Sequence, residues 1–192
     1  GNTIVDVVHR FDVRTVDRTA WGLSPNDEFM LLTLHRPENV DVSERLEDIL
    51  QGLSNIYDQY RYPILFPIHP RTRKNLEKFS LQLPEGVRII DPVGYRNFLG
   101  LERNAVMVLT DSGGVQEESC ILGTPCVTLR DNTERPETVE VGANVIAGSS
   151  PPEILKAAQR MMSSKRSWSQ PFGDGRSGER IVEIIDLAYG LE

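Results

Sequence analysis

Short apolar runs alternate with amphipathic stretches from one end of the chain to the other. This is the pattern of β-α-β units wound around a mostly parallel sheet. Six runs read as strands: Glu28 to Leu34, Pro63 to Ile68, Val87 to Ile90, Ala105 to Thr110, Pro125 to Leu129 and Ala143 to Ala147. Their apolar residues are largely continuous, as expected of strands covered on both faces. Between the first two runs, Leu46, Ile49, Leu50, Leu53, Ile56 and Tyr57 recur at helical spacing within residues 43–60, which predicts one buried stripe. Asp41 and Glu44 stand in front of it at capping-box spacing. Further helices are expected at Thr72 to Ser80, Asn97 to Arg103, Gly114 to Leu122, Pro152 to Met162 and Ser177 to Tyr189. The fold class is therefore α/β, a single Rossmann-like three-layer domain with a mostly parallel sheet spanning residues 1–192.

The two ends break the pattern. Ile4, Val5, Val8 and Phe11 form one helical face before any strand has appeared, and the chain closes with a Ser- and Gly-rich loop, Ser164 to Arg176, leading into the last amphipathic helix. Such terminal helices either contact something outside the chain or pack on the domain's own sheet, and the sequence leaves both open.

With 192 residues and 39% apolar content the chain has enough material for one core. Its net charge of −7, with no dense Lys/Arg block, argues against a broad nucleic-acid-binding face. No apolar run is long enough for a bilayer and the amino terminus lacks a signal-peptide layout, so no membrane partner and a cytoplasmic location are expected. Cys120 and Cys126 match neither a redox nor a zinc spacing, and His9, His35 and His69 are scattered; the thiols are expected in the core, and no metal is expected.

In an open parallel sheet, ligands bind beyond the carboxyl ends of the strands. Three such junctions carry chemistry: His35-Arg36-Pro37-Glu38-Asn39, His69-Pro70-Arg71, and Thr110 to Glu118. In the last, a strand runs through Ser112-Gly113-Gly114 into a helix whose first backbone N–H groups and positive dipole end suit an anion. The glycines remove side chains that would bar a phosphate, and the Ser112 hydroxyl adds a donor. Glu118, further along that helix, is placed for the two hydroxyls of a ribose. Without a ligand, the same glycines make a strand-to-helix turn, and Glu117 and Glu118 complement the helix dipole. Ser112 lacks the first glycine of a nucleophile elbow. His35 and Arg36 are candidates to face a phosphate, and His35 to act as an acid on a leaving diphosphate, since imidazole changes charge near neutral pH. In the ligand-free alternative, Arg36 pairs with Glu38 on the surface. Gly173 to Gly178 is a literal G-x-G-x-x-G, but it follows no strand, so its glycines are expected to turn the chain into the last helix.

Four segments in order, HRPEN at 35–39, TDSGGVQEES at 110–119, LGTPCVTLRDNTERPE at 122–137 and FGDGRSGERIV at 172–182, together resemble the carboxyl-terminal half of the non-hydrolysing UDP-N-acetylglucosamine 2-epimerases. The resemblance implies one half of a two-domain GT-B fold, with substrate in the cleft between paired domains. Gly1-Asn2-Thr3 would be the interdomain hinge, and the last helix would cross back to an amino-terminal domain missing from this chain. It implies interconversion of UDP-GlcNAc and UDP-ManNAc, serving cell-surface polysaccharide synthesis, by elimination of UDP to a 2-acetamidoglucal and re-addition with C2 inverted. No cofactor and no metal are needed. Ser112, Gly113 and Gly114 would hold the diphosphate, Glu118 the ribose, and Phe98 would lie next to the uracil. His35 would be the catalytic residue beside the departing phosphate, with Arg36, Gln116 and Glu117 as further UDP-binding positions.

Pro37 replaces a charged residue of many bacterial members, as in archaeal and acidic-sugar relatives. A homodimer is implied for the intact enzyme, and the C2 base is expected in the missing domain, so this chain alone should not epimerise. The alternatives are a 2-epimerase of a UDP-2,3-diacetamido sugar acid, a hydrolysing relative, a GT-B glycosyltransferase domain and a non-catalytic sugar-nucleotide-binding module.

Overall fold

The computed structural model describes residues 1–11 and 16–190. Its strands are β1 (Met30–Thr33), β2 (Ile64–Pro67), β3 (Val87–Ile90), β4 (Met107–Thr110), β5 (Cys126–Thr128) and β6 (Asn144–Ile146). All pair in parallel, in the order β3-β2-β1-β4-β5-β6. Every expected strand is present. Most are shorter than the apolar run that encodes them, because flanking residues such as Val106 and Leu129 bond across the sheet, to Phe29 O and Thr110 O, without continuing the ladder.

Nine helices are described: α1 (Thr3–Arg10), α2 (Pro37–Val40), α3 (Ser43–Tyr60), α4 (Pro70–Phe79), α5 (Tyr95–Asn104), α6 (Gly113–Leu122), α7 (Pro136–Glu140), α8 (Pro151–Met162) and α9 (Ser177–Tyr189), with a 3-10 turn at Arg18–Trp21. The short α2 and α7 have no counterpart in the sequence reading. Each starts on a proline, whose fixed φ suits a first helical turn. Pro37 is thereby accommodated.

Successive strand side chains point to opposite faces, and both faces are apolar. Met30, Leu32 and Leu34 join Leu46, Ile49, Leu53 and Ile56 of α3 and Ile154 of α8 on one side. Phe29 and Leu31 join Leu101 of α5 and Val115 of α6 on the other. Each fully buried Leu or Ile of the α3 stripe contributes about 2 kcal/mol of transfer free energy. The anticipated cap of α3 is absent: its N-cap is Val42, with no side-chain bond. Asp41 instead ends α2 and accepts from the Arg71 guanidinium and from Asn75 Nδ2, since ion pairing with α4 outcompetes a cap.

Gly52 is where α3 meets α8 most closely. A Cβ there would sit 2.8 Å from Ile154 Cδ1 and 3.0 Å from its Cβ. Gly52→Ala is expected to destabilise the fold by about 1 kcal/mol net, an overpacking cost of about 1–3 kcal/mol against a helix-propensity gain of about 1 kcal/mol. Denaturant titration would read this as a lower midpoint.

The terminal helices differ from each other. Helix α1 packs on the domain, with Val5 against Cys120 and Phe172 and Val8 against Leu99. Helix α9 is anchored at its start, where Asp6 accepts from the backbone N–H groups of Ser177 and Gly178 at 3.2 and 2.8 Å. Beyond that it carries Ile181, Val182, Ile184, Ile185 and Leu187 exposed. The glycines before it serve as turns: Gly173 and Gly175 have φ of +110° and +80°, the left-handed region that glycine tolerates. Among the described residues no helix is long and apolar enough to cross a membrane.

Candidate active site

Strand order reverses between β1 and β4, and this switch point opens a crevice at the strands' carboxyl ends. Thr33 and Thr110 face each other there, their hydroxyls 2.5 Å apart. Thr110 Oγ1 also accepts from the Ser112 backbone N–H at 2.9 Å, which bends the chain out of β4 into α6. Ser112 is the N-cap of α6, yet its hydroxyl makes no capping bond. The N–H groups of Gly113, Gly114 and Val115 therefore have no acceptor among the described residues. Each helix start leaves such donors free, and together with the dipole they attract an anion.

The reversal also brings β1's continuation to the same place. Asp111, fully buried, accepts from the backbone N–H groups of His35 and Arg36, from Asn39 Nδ2, and from His35 Nδ1 at 3.1 Å. Burial disfavours the Asp111 anion. The His35 imidazole and the Arg36 and His35 N–H groups outweigh that and hold its carboxyl below the usual range. An ionised carboxylate has no proton to give, so the imidazole Nδ1 carries the hydrogen and Nε2 is left for chemistry. Asp111 was not picked out by the sequence reading, although its position, first residue past an apolar strand and just before the glycines, was a usable signal.

His35, His69, Ser112, Val115, Thr33 and Pro92 line one cavity of about 270 Å³. The His35 and His69 rings are 5.7 Å apart between centroids. His69 Nδ1 accepts from Arg71 N at 3.1 Å, capping α4, while the Arg71 side chain turns to Asp41. The cavity lies at the lower edge of small-molecule sites in size and is open on one side.

Other candidate residues take different places. Arg36 donates from Nε to Asp111 O at 3.3 Å, and one guanidinium nitrogen lies 4.0 Å from Glu134. Glu38, its partner in the ligand-free alternative, is instead bound by Arg130 Nε at 2.6 Å, because the largely buried Arg130 requires a counter-ion. Gln116 is fully buried and accepts from Thr133 Oγ1 and Asn144 Nδ2, which ties α6 to the segment before α7 and to the start of β6. Phe98 is half-buried against the cluster that includes Phe29, Leu101 and Val115, and it is not among the residues lining the cavity. Glu117 and Glu118 are not first-turn residues, since α6 begins at Gly113, so the dipole reading gives way to side-chain partners. Glu117 accepts from Asn2 Nδ2 at 2.8 Å and lies 2.8 Å from Arg135 Nε as an ion pair, without hydrogen-bond alignment of that N–H. Glu118 accepts from the Tyr95 hydroxyl at 2.7 Å.

Arg135 is a second residue that the sequence reading quoted without a role. A Cβ on Gly113 would lie 3.6 Å from Glu134 Oε2 and 3.9 Å from the Arg135 guanidinium carbon, so this cation and the Glu134 carboxylate both stand beside the helix start. The result is a nest of free N–H donors, flanked by arginines and facing a histidine with a carboxylate behind it. That arrangement suits a phosphorylated ligand with a departing phosphate.

Residues 1–186 match the family model described as UDP-N-acetylglucosamine 2-epimerase. The chain belongs to the UDP-N-acetylglucosamine 2-epimerase family. It is 56% identical over 169 residues to the UDP-N-acetylglucosamine 2-epimerase of Methanocaldococcus jannaschii, covering 86% of this chain and 46% of that protein. A crystal structure of the M. jannaschii epimerase in complex with UDP-GlcNAc and UDP superposes with a TM-score of 0.84 at 49% identity, over 97% of this chain and 54% of that one. The UDP-2,3-diacetamido-2,3-dideoxy-D-glucuronate 2-epimerase of Pseudomonas aeruginosa is 42% identical, over 85% of this chain and 46% of its own length. The chain thus spans about half the length of these epimerases.

Proposed function

We propose that this chain is the UDP-binding half of a UDP-GlcNAc 2-epimerase and that an amino-terminal half completes the site. The observation that carries the reading is the free N–H nest at Gly113, Gly114 and Val115, set beside the same cavity that His35 lines. In this reading the nest, the Ser112 hydroxyl and the flanking Arg36 and Arg135 hold the diphosphate. Glu118 takes the ribose hydroxyls and Phe98 lies towards the uracil. Gln116 and Glu117 support α6 and its neighbour Arg135 from behind.

A base takes the C2 proton as the C1–O bond breaks, the electron pair forms the C1–C2 double bond, and UDP departs. His35, oriented through Nδ1 by Asp111 and protonated on both ring nitrogens when it acts as the acid, gives its Nε2 proton to the departing phosphate oxygen in elimination and takes it back on re-addition. The reverse addition, with the proton delivered to the other face of C2, gives UDP-ManNAc. The base belongs to the amino-terminal half, and the isolated chain is inactive.

The exposed apolar residues of α9, anchored through Asp6 near Asn2, support that half as their cover, since contiguous exposed apolar side chains mark an interface. The greater identity to the UDP-GlcNAc enzyme than to the diacetamido-sugar enzyme favours UDP-GlcNAc as substrate, and family membership favours isomerisation over glycosyl transfer. The reading includes a homodimeric whole enzyme and a cytoplasmic location. The two buried, unpaired thiols fit a reducing compartment.

The test joins the chain to the amino-terminal half of the M. jannaschii relative and follows UDP-GlcNAc and UDP-ManNAc by NMR. Interconversion by the joined protein, with none by the chain alone, is expected. A folded joined protein that binds no UDP overturns the proposal.

A further inference from the structure

Helix α5 places Tyr95 and Glu102 two turns apart on one face, against α6. The Tyr95 ring packs edge-on to Phe11 at 5.7 Å and its hydroxyl donates to Glu118 at 2.7 Å. Glu102 is fully buried, and among the described residues no Lys, Arg or His forms an ion pair with it. Around it stand Tyr95 on its own helix, Glu118 with Glu117 beyond it on α6, and the Cys126 thiol on β5. None of these supplies a positive charge.

As two anions, Glu102 and Glu118 would both be acceptors, and each Glu102 oxygen would be left without a donor. Glu118 lies close enough across the α5–α6 contact for its charge to act on Glu102, and two neighbouring buried carboxyls with no counter-ion hold one proton between them. Burial, followed by the nearby Glu118 charge, raises the Glu102 carboxyl well above the ordinary range. Glu118 is also raised by burial, but bonds from Tyr95 and Glu102 oppose the rise. Glu118 already accepts the Tyr95 hydroxyl, which favours its anion, while neither oxygen of the fully buried Glu102 has a donor; the shared proton therefore resides on Glu102, as with other carboxyl pairs whose surroundings separate their affinities.

We propose that Glu102 is a positioning residue whose carboxyl O–H, together with the Tyr95 hydroxyl, donates to Glu118 and fixes it as the acceptor for a ribose diol. This rests on reading Glu118 as the ribose ligand. Two donors from α5 lock the Glu118 rotamer and leave its remaining lone pairs for the 2′- and 3′-hydroxyls. Glu102 itself, being fully buried, touches no ligand.

The experiment titrates UDP and 2′-deoxy-UDP calorimetrically into the chain and its E102Q and E102L variants. The parent chain is expected to prefer UDP by at least about tenfold, the worth of a hydrogen bond to a charged group. E102Q, whose amide still donates to Glu118, should keep that ratio within about twofold. E102L should reduce it to below about threefold, with an unchanged or higher thermal midpoint because a buried polar group has been removed. A general packing defect would weaken both nucleotides equally and leave the ratio intact.

An E102L protein that keeps the parental ratio overturns the role of Glu102 alone. A parent chain without preference for UDP, or without UDP binding, overturns the ribose reading of Glu118 and this proposal with it. Should E102L not fold, infrared spectroscopy of the parent and E102Q decides: the parent is expected to show the carbonyl band of a buried protonated carboxyl at neutral pH, missing from E102Q. Absence of that band from the parent overturns the proposal.

Discussion

Asp111→Asn is expected to lower turnover of the whole enzyme about 10³-fold, within the range that general acid-base catalysis supplies. Asp111 receives donors from His35, Arg36 and Asn39 on two oxygens. Asparagine has a single acceptor oxygen, so some of these donors would meet an amide N–H instead. If the amide oxygen keeps the two backbone N–H groups, its NH2 faces His35 Nδ1, which must then become an acceptor. The imidazole proton moves to Nε2 in the neutral ring, and the negative charge that favours the imidazolium is gone. The same substitution leaves buried donors poorly satisfied, at a cost of about 1–3 kcal/mol in stability.

The pH dependence has a definite sign. Folding lowers the Asp111 carboxyl below its ordinary value. Its contribution is therefore fully present above the unfolded value of about 3.9 and is lost as pH falls through the folded one. Thermal melts should show a gap between parent and variant that is constant near neutrality and closes in acid. A gap that widens in acid, or a variant with parental turnover, contradicts the assigned role.

What was legible in the sequence follows from the range of the interactions involved. The strands and the α3 stripe were readable because burial on a two-sided sheet is written directly into apolar spacing: Leu46, Ile49, Leu53 and Ile56 are all fully buried. The glycine turn was readable because the strand, Ser112-Gly113-Gly114 and the helix are contiguous. Asp41 was misread as a cap because its actual partners, Arg71 and Asn75, lie 30 and 34 residues away. The ligand-free pairing of Glu38 with Arg36 fails for the same reason, since the partner of Glu38 is Arg130, 92 residues on. Asp111 and Glu102 acquire their meaning only when the crossovers bring β1 beside β4 and α5 beside α6. No local pattern announces a carboxyl whose proton is fixed by another 16 residues away. The convergence of His35 and His69 on one cavity is likewise a product of sheet order, since β1 and β2 are neighbours in the sheet.

Gly114→Val separates a ligand cradle from a plain turn, and it is expected to weaken UDP binding about 10- to 100-fold, the worth of losing one or two hydrogen bonds to a charged group. The turn itself does not require glycine. Gly114 has no left-handed φ, is exposed, and a Cβ built on it meets nothing within 4 Å. Gly113 is similar, with Glu134 and Arg135 at ordinary contact distances from an added Cβ. Without a ligand, valine at 114 is tolerated, and it removes the backbone entropy that glycine costs a helix, so stability should be unchanged or higher by up to about 1 kcal/mol. With a ligand, its branched side chain occupies the space through which a phosphate reaches the N–H groups. A variant that melts no lower than the parent yet loses UDP in titration calorimetry would show that the glycine is kept for the anion. A variant that binds UDP as the parent does would mean that the diphosphate lies elsewhere, and the half-site would have to be rebuilt around Arg36 and Arg135.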